Sequence, residues 1–252
     1  MAGTLAYLGG IEINVNGLYL GQDYSEFNPF TPLPPISGSV PTGSIQMFFD
    51  SADWNGISST LLGKYSNATA SLTNVTRNSE YGSLNFTTSS NLSTTASGDD
   101  TPSQATTSTI VLIYRSSGSA TDHHGRMLNG ANNWLFGTYG GGPGTPAAES
   151  MYAWFNNQFV IDSGSYDTNW HMMTGIRHTV NSASVYIDNI YKTGSLATGN
   201  GGFDGGLFIN KGAFTPSEAT QGELGVLIVY NTELSPAQIT EIYNNYKTKY
   251  QL

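Results

Sequence analysis

Between Ser44 and Tyr230 the chain is a succession of short apolar runs, each bounded by Gly, Asn, Asp or Ser. The runs are Ile45 to Phe49, Tyr81 to Phe86, Thr109 to Tyr114, Asn133 to Tyr139, Met151 to Ile161, Trp170 to His178, Ser184 to Tyr191, Gly206 to Asn210 and Glu223 to Tyr230. Runs of this length between turn formers predict strands of a sandwich or barrel. In Ser184 to Ile187, Val185 and Ile187 alternate with polar-capable neighbours, so one face is buried. Asp188 and Asn189 tolerate positive φ and predict a two-residue turn into Ile190. The stretch from Ser58 to Asp100 is rich in Ser, Thr and Asn, and only Tyr81 to Phe86 stands out within it.

The period changes after Ser235. Ile239, Ile242, Tyr243 and Tyr246 recur at i, i+3, i+4 and i+7, one face of a helix. Ser235 serves as N-cap, Pro236 as the first helical residue and Gln238 as the reciprocal member of a capping box. A helix with one apolar stripe needs a sheet to cover, so it docks on the preceding strands and its role is structural. No period of about twenty to fifty residues repeats, which excludes a propeller or solenoid.

Residues 1–44 differ from the rest. Ile11 to Leu20 alternates around Asn16-Gly17, a hairpin signal, and Pro29, Pro32, Pro34, Pro35 and Pro41 follow. Proline lacks the N–H that a ladder needs, so this region reads as an anchoring arm with an extended linker. The competing reading is an ordered strand and loop packed on the main domain. Residues 45–252 form that domain.

Composition narrows the function. Eighteen acidic against nine basic residues give a net charge of −9, which argues against a phosphate-neutralising groove and sets nucleic acid aside. Cysteine is absent, so disulfides, thiolate nucleophiles and Cys-based metal sites are excluded. The first ten residues lack a basic segment followed by a long apolar one, and no later run approaches a membrane span. These features predict synthesis in a cytosol without a signal peptide or membrane insertion. Asn67, Asn74, Asn85 and Asn91 each precede Ser or Thr by two positions, as chance alone produces in such a composition.

Three segments carry a resemblance. Trp170 to Gly175 with Ser184 to Asn189 resembles a strand pair of the concanavalin A-like lectin/glucanase superfamily, in its laminin-G-like branch. Asn189 and Ile190 stand where that family has an Asn-Gly turn. Gly222 to Asn231, with Leu234, Ser235, Ile239 and Tyr243, resembles its closing strand and short helix. Met47 to Asp53 resembles the opening element of such domains in tailed-phage virion proteins, and Gly17 to Gly21 is similar to a recurrent phage structural element. The resemblance covers about residues 45–252. It implies an all-β, two-sheet antiparallel jelly-roll sandwich with a short C-terminal helix and an N-terminal arm.

Candidate chemistry is sparse. The related glucanases place paired carboxylates on one strand face, whereas Asp162 and Asp188 stand alone and Glu223 has no acidic partner at i+2 or i+4. Asp122-His123-His124 is an incomplete metal set and reads as a solvated loop. His171 and His178 flank a strand and read as satisfying local hydrogen bonds. The resemblance leaves room for calcium at the rim, with Asp50, Asp53 and Asp204 as candidate ligands beside Asp99 and Asp100. A glycan platform would draw on Trp54, Trp134, Tyr139 and Asn133, near the loop Gly140 to Gly144. For Trp134, Trp154 and Trp170 the favoured reading is the core, since aromatics dominate core burial.

The expected function is therefore a noncatalytic structural protein of a tailed-phage virion: a capsid decoration, head-fibre or tail-fibre component displaying a lectin-like domain. Residues 1–44 would contact other virion proteins, the domain would touch host-surface glycan, and the subunits would form a homo-oligomer at the virion surface. The alternatives are a free carbohydrate-binding lectin module and, third, a divergent glycoside hydrolase.

Overall fold

In the computed structural model of the chain, the described residues are 5–8, 11–14, 40–94, 107–117, 127–130, 135–139, 150–154, 158–161, 167–179, 182–192, 195–196, 206–210, 219 and 221–252. The chain divides into two compact units, Met1–Pro35 and Ile36–Leu252. In the first, β1 (Leu5–Leu8) pairs antiparallel with β2 (Ile11–Asn14), with Leu8 opposite Ile11. The hairpin expected at Asn16-Gly17 lies outside the described residues. Residues 40–44, assigned to the arm from sequence, belong to the second unit: Val40 packs on its core and Ser44 O accepts from Asn231 N.

The second unit begins with β3 (Ile45–Asp50), a 3-10 turn at Ser51–Asp53, β4 (Thr60–Leu62), β5 (Thr69–Thr73), β6 (Thr76–Asn78), β7 (Ser83–Phe86) and β8 (Asn91–Thr94). Next come β9 (Ser108–Ser116), β10 (Leu128–Gly130), β11 (Leu135–Tyr139), β12 (Ser150–Trp154) and β13 (Gln158–Ile161). The chain continues through β14 (His171–Thr179), β15 (Ser182–Ile187), β16 (Ile190–Lys192), β17 (Ser195–Leu196), β18 (Leu207–Ile209), β19 (Gly222–Tyr230) and α1 (Pro236–Tyr250). All ladders among the described residues are antiparallel. One sheet runs β17-β13-β12-β11-β10-β18-β8-β5-β4, and the other runs β16-β15-β14-β9-β19-β7-β6 with β3 also on β19. This is the two-sheet jelly-roll sandwich with a C-terminal helix that the sequence implies. The expected single strand Met151 to Ile161 is instead a hairpin, β12 on β13 with Trp154 opposite Gln158.

β19 organises its sheet. One edge pairs with β9 along its length, while the other is divided between β7, on Gly222–Leu224, and β3, on Val226–Tyr230. The register slips at Gly225, so Leu224 and Leu227 face the inter-sheet core while Val226 and Ile228 face outward. β9 follows suit: Ile110, Leu112 and Tyr114 point inward, Val111 and Ile113 outward. A sheet that is apolar on both faces must be covered on both.

α1 provides the second cover. Ile239, Ile242, Tyr246 and Tyr250 are completely buried against Val111, Ile113, Val226, Ile228 and Trp170, each burial worth about 1.5–3 kcal/mol. The capping box forms as expected, with Ser235 Oγ accepting from Gln238 N and Gln238 Oε1 from Ser235 N. At the other end Tyr250 packs so closely over Gly225 that a Cβ there would lie 2.6 Å from its ring. Trp170 joins this aromatic cluster, its ring centroid 4.6 Å from that of Tyr250, and Arg115 stacks its guanidinium over Tyr81 and Trp170.

The β15–β16 turn is also as read from sequence. Asp188 (φ 49°) and Asn189 (φ 64°) connect paired Ile187 and Ile190, the signature of a tight hairpin whose central residues are both left-handed. Replacing Gly225 with Ala should lower stability by about 1–3 kcal/mol, because the new Cβ would meet the fully buried Tyr250 ring. A urea unfolding midpoint equal to that of the parent protein would contradict this packing.

Candidate functional site

Among the described residues, a groove lies where β3 gives way to the 3-10 turn and β4. Asp50 caps that turn, its Oδ1 accepting from Ala52 N at 3.1 Å. Asn55 Oδ1 accepts from Ile57 N and Ser58 N, closing a polar turn. The chain then crosses β4 and doubles back at Gly63, whose N–H bonds Ala68 O, while Lys64 N bonds Phe48 O. A cavity of about 490 Å³ opens here, lined by Asp53, Trp54, Asn55, Thr60, Leu62 and Lys64 among others.

The same segment carries exposed apolar residues: Leu62, which lines the cavity, is 67% exposed, and Ile57 and Tyr65 are 90% and 70% exposed. Tyr65 has φ of 57°, a conformation that a bulky aromatic adopts only when its surroundings impose it. Its ring lies 6.0 Å from that of Phe48. Amide, hydroxyl, carboxylate and ammonium groups thus share one cavity with the exposed aliphatic side chain of Leu62. That combination suits a ligand that is polar at its edges and apolar on one face.

Beneath the groove lies a buried ion network. Asp50, 1% exposed, accepts from Lys64 Nζ at 3.2 Å and faces Lys249 Nζ of α1 at 3.7 Å, and Lys64 also reaches Asp53 at 3.1 Å. Burial works against the Lys64 ammonium, yet Asp50 and Asp53 outweigh it and its pKa is raised. For Lys249 burial prevails, and its pKa is lowered despite Asp50. The difference follows geometry: Lys249 is deeper, farther from the carboxylate and repelled by Lys64.

These positions bear on the residues singled out from sequence. Asp50 and Asp53 come together on Lys64, and Lys249 faces Asp50. Asp204, Trp134 and Asn133 lie outside the described residues, and Tyr139 is described only as part of β11. Among the described residues no group of three or more His, Cys, Asp or Glu is arranged to hold a metal. Trp54 lines the groove but is 4% exposed and spends its indole N–H on Ser58 O at 2.7 Å, so it forms a wall and not a stacking platform. Trp170 is core. Sequence reasoning missed Tyr65; its setting in Gly63-Lys64-Tyr65-Ser66-Asn67, an aromatic among turn formers, was the available signal.

His171 is clamped elsewhere. Its Nδ1 meets Asp188 Oδ2 at 2.7 Å and its Nε2 meets Asp167 Oδ1 at 2.9 Å, while Asp188 Oδ1 accepts from Met172 N. The carboxylates engage opposite ring nitrogens and so do not converge on a common point. Burial disfavours the imidazolium, but the two carboxylates outweigh it and the His171 pKa is raised. Asp167 is shifted down: burial opposes the shift, and the His171 and Asn169 hydrogen bonds overcome it.

No family model matches the sequence, and no curated protein matches it. Solved structures do match. A sialidase of Trypanosoma rangeli superposes with a TM-score of 0.56 at 16% identity, over 83% of this chain and 34% of the sialidase. A botulinum neurotoxin serotype D/C binding domain gives 0.59 at 13% identity, over 82% and 53%. The receptor-binding domain of a C/D mosaic botulinum neurotoxin gives 0.56 at 13%, over 80% and 51%. The chain therefore spans about a third of the sialidase and about half of the toxin domains, and at these identities the likeness is one of fold.

Two outcomes follow from the charges. Asp50→Asn should destabilise the protein by about 3–5 kcal/mol, since it leaves the Lys249 ammonium buried without its counter-charge; chemical denaturation measures this, and an unchanged midpoint would remove the network from the account. For His171, a folded pKa above the ordinary 6.5 means the clamp contributes fully below about pH 6.5 and fades as pH rises through the raised value. Its acid limit is set by Asp167, whose contribution is lost as pH falls through its lowered pKa. The melting temperature should therefore drop between about pH 6 and about pH 8 more steeply in the parent than in His171→Gln. Parallel profiles would contradict the clamp.

Proposed function

We propose that the chain is a glycan-adhesive structural module displayed on a tailed-phage virion, with the groove around Tyr65 touching host-surface sugar and residues 1–44 anchoring the subunit to its particle. The observation that carries the reading is the groove itself. Leu62 presents exposed apolar surface in the same cavity as Asp53, Asn55, Thr60 and Lys64, and the exposed Tyr65 follows Lys64 directly in the chain. A pyranose has the matching character, with C–H faces that pack on an aromatic ring and hydroxyls that seek amides and charges. The sandwich fold shared with toxin binding domains supports the reading, as does the resemblance of residues 45–252 to lectin-like domains of virion proteins.

Adhesion fits the groove better than glycosidic cleavage. Cleavage needs one protonated and one ionised carboxyl group facing each other across the sugar. Asp50 and Asp53, the carboxylates at this groove, are tied to a common lysine. A homo-oligomer would add avidity to a weak single-site affinity.

Glycan-array binding of the whole chain, compared with Tyr65→Ala, tests the groove. The variant should lose at least about tenfold in affinity, roughly 1.4 kcal/mol, while keeping its melting temperature. Equal binding by both proteins would exclude Tyr65 from recognition. Incubation with particles lacking the protein tests the setting: retention that disappears on deleting residues 1–44 supports the virion role, whereas strong glycan binding without particle binding points to a free lectin module.

A further inference from the structure

At the other end of β19 from the groove, two residues of the β14–β15 hairpin meet a third from 55 residues farther along the chain. We propose that Ser184, His178 and Glu233 form a nucleophilic triad that hydrolyses small O-acyl esters. His178 stands near the end of β14, Ser184 on the adjacent β15 and Glu233 in the connection from β19 to α1. His178 Nε2 lies 2.7 Å from Ser184 Oγ, and Nδ1 lies 2.8 Å from Glu233 Oε2.

The chemistry of the three groups fixes the direction of the relay. An ionised carboxylate only accepts, so Glu233 holds the imidazole proton on Nδ1. Nε2 then carries the lone pair, and the Ser184 hydroxyl donates to it. That is the tautomer a general base requires, and the order is nucleophile, base and orienting acid. Side chains that merely tie strands together could do so with any polar pairing, whereas this arrangement orients both imidazole nitrogens for proton transfer.

The surroundings supply room. A cavity of about 390 Å³ opens beside the relay, lined by Ile176, Tyr186, Leu234 and Pro236 together with the three triad members and Ser235. His178 and Glu233 are 31% and 41% exposed at the side chain, so a substrate can reach them from solvent. The apolar lining suits a short acyl group, and the open mouth leaves the alcohol portion free. Ser235 and Pro236, the N-cap and first residue of α1, border the same cavity.

The steps balance with water as the only co-reactant. Ser184 Oγ bonds the ester carbonyl carbon as its proton passes to His178 Nε2. Collapse of the tetrahedral intermediate breaks the ester C–O bond, and the imidazolium gives that proton to the departing alkoxide, releasing an alcohol. Nε2 then takes a proton from water as the hydroxide adds to the acyl-serine. The second collapse frees the carboxylic acid, and Ser184 Oγ recovers its proton.

The test uses the whole chain with p-nitrophenyl acetate as substrate and a fluorophosphonate as covalent probe, with peptide mapping of the adduct. The parent should hydrolyse the ester, and the probe should add to Ser184. Ser184→Ala should abolish labelling, and His178→Gln should slow turnover and labelling by at least about 100-fold, both with circular dichroism like that of the parent. Glu233→Gln should lower the rate with little change in KM. Ester hydrolysis equal in the parent and Ser184→Ala, an adduct on another residue, or undiminished labelling of folded His178→Gln would each overturn the proposal.

Discussion

The constraint on which the structure depends is that β19 is buried on both faces and paired on both edges. Every residue from Gly222 to Tyr230 is buried. Such a strand satisfies its backbone only if β9 lies on one side and β3 and β7 share the other, and its side chains only if a second sheet and a helix cover its two faces. The slip at Gly225 makes this possible, because it sets the orientation of Leu224 independently of that of Val226 and leaves a space that Tyr250 fills. The helix, the aromatic cluster and the sandwich core therefore meet at one glycine.

Two buried carboxylates of this interior are held in compensated sets. Glu223 accepts from Arg115, Asn78 and Ser83, so a carboxylate within β19 is held by three partners at the sheet edge. Asp50 is held by two lysines and by the start of the 3-10 turn. Both sets link elements remote in sequence, and a buried charge whose partners come from elsewhere disfavours alternative packings. The groove above Asp50 inherits this rigidity: Lys64, at its floor, is held by the same carboxylate that faces α1.

Much of this was legible where side chains announce their burial. The helix, its capping box, the Asp188-Asn189 turn and the strands β3, β9, β14, β15 and β19 follow from apolar alternation and turn chemistry. The strands β4, β5, β6 and β8 did not, because their pattern is written in small and hydroxylated residues. In Thr69 to Thr73, Ala70 and Leu72 point inward between Thr and Ser, an alternation of size more than of polarity. Met151 to Ile161 read as one strand because its apolar content is continuous across the hairpin. The sites were less visible still. Trp54 was chosen for its type and proves to be a wall of the groove, while Tyr65 owes its exposure to backbone geometry that composition does not encode. His178, Ser184 and Glu233 meet only because β14, β15 and the β19–α1 connection end at the same side of the sheet.

The position of β19 along the chain has a consequence for biosynthesis. Ser51 Oγ donates to Leu224 O across a separation of 173 residues, and β3 pairs with the far half of the same strand. A nascent chain emerging from the ribosome must carry the apolar faces of β3 and β9 unshielded until that late strand arrives. Such waiting favours chaperone capture or aggregation over spontaneous closure. Yield on overexpression should therefore be governed by translation speed and chaperone supply as much as by the stability of the finished protein.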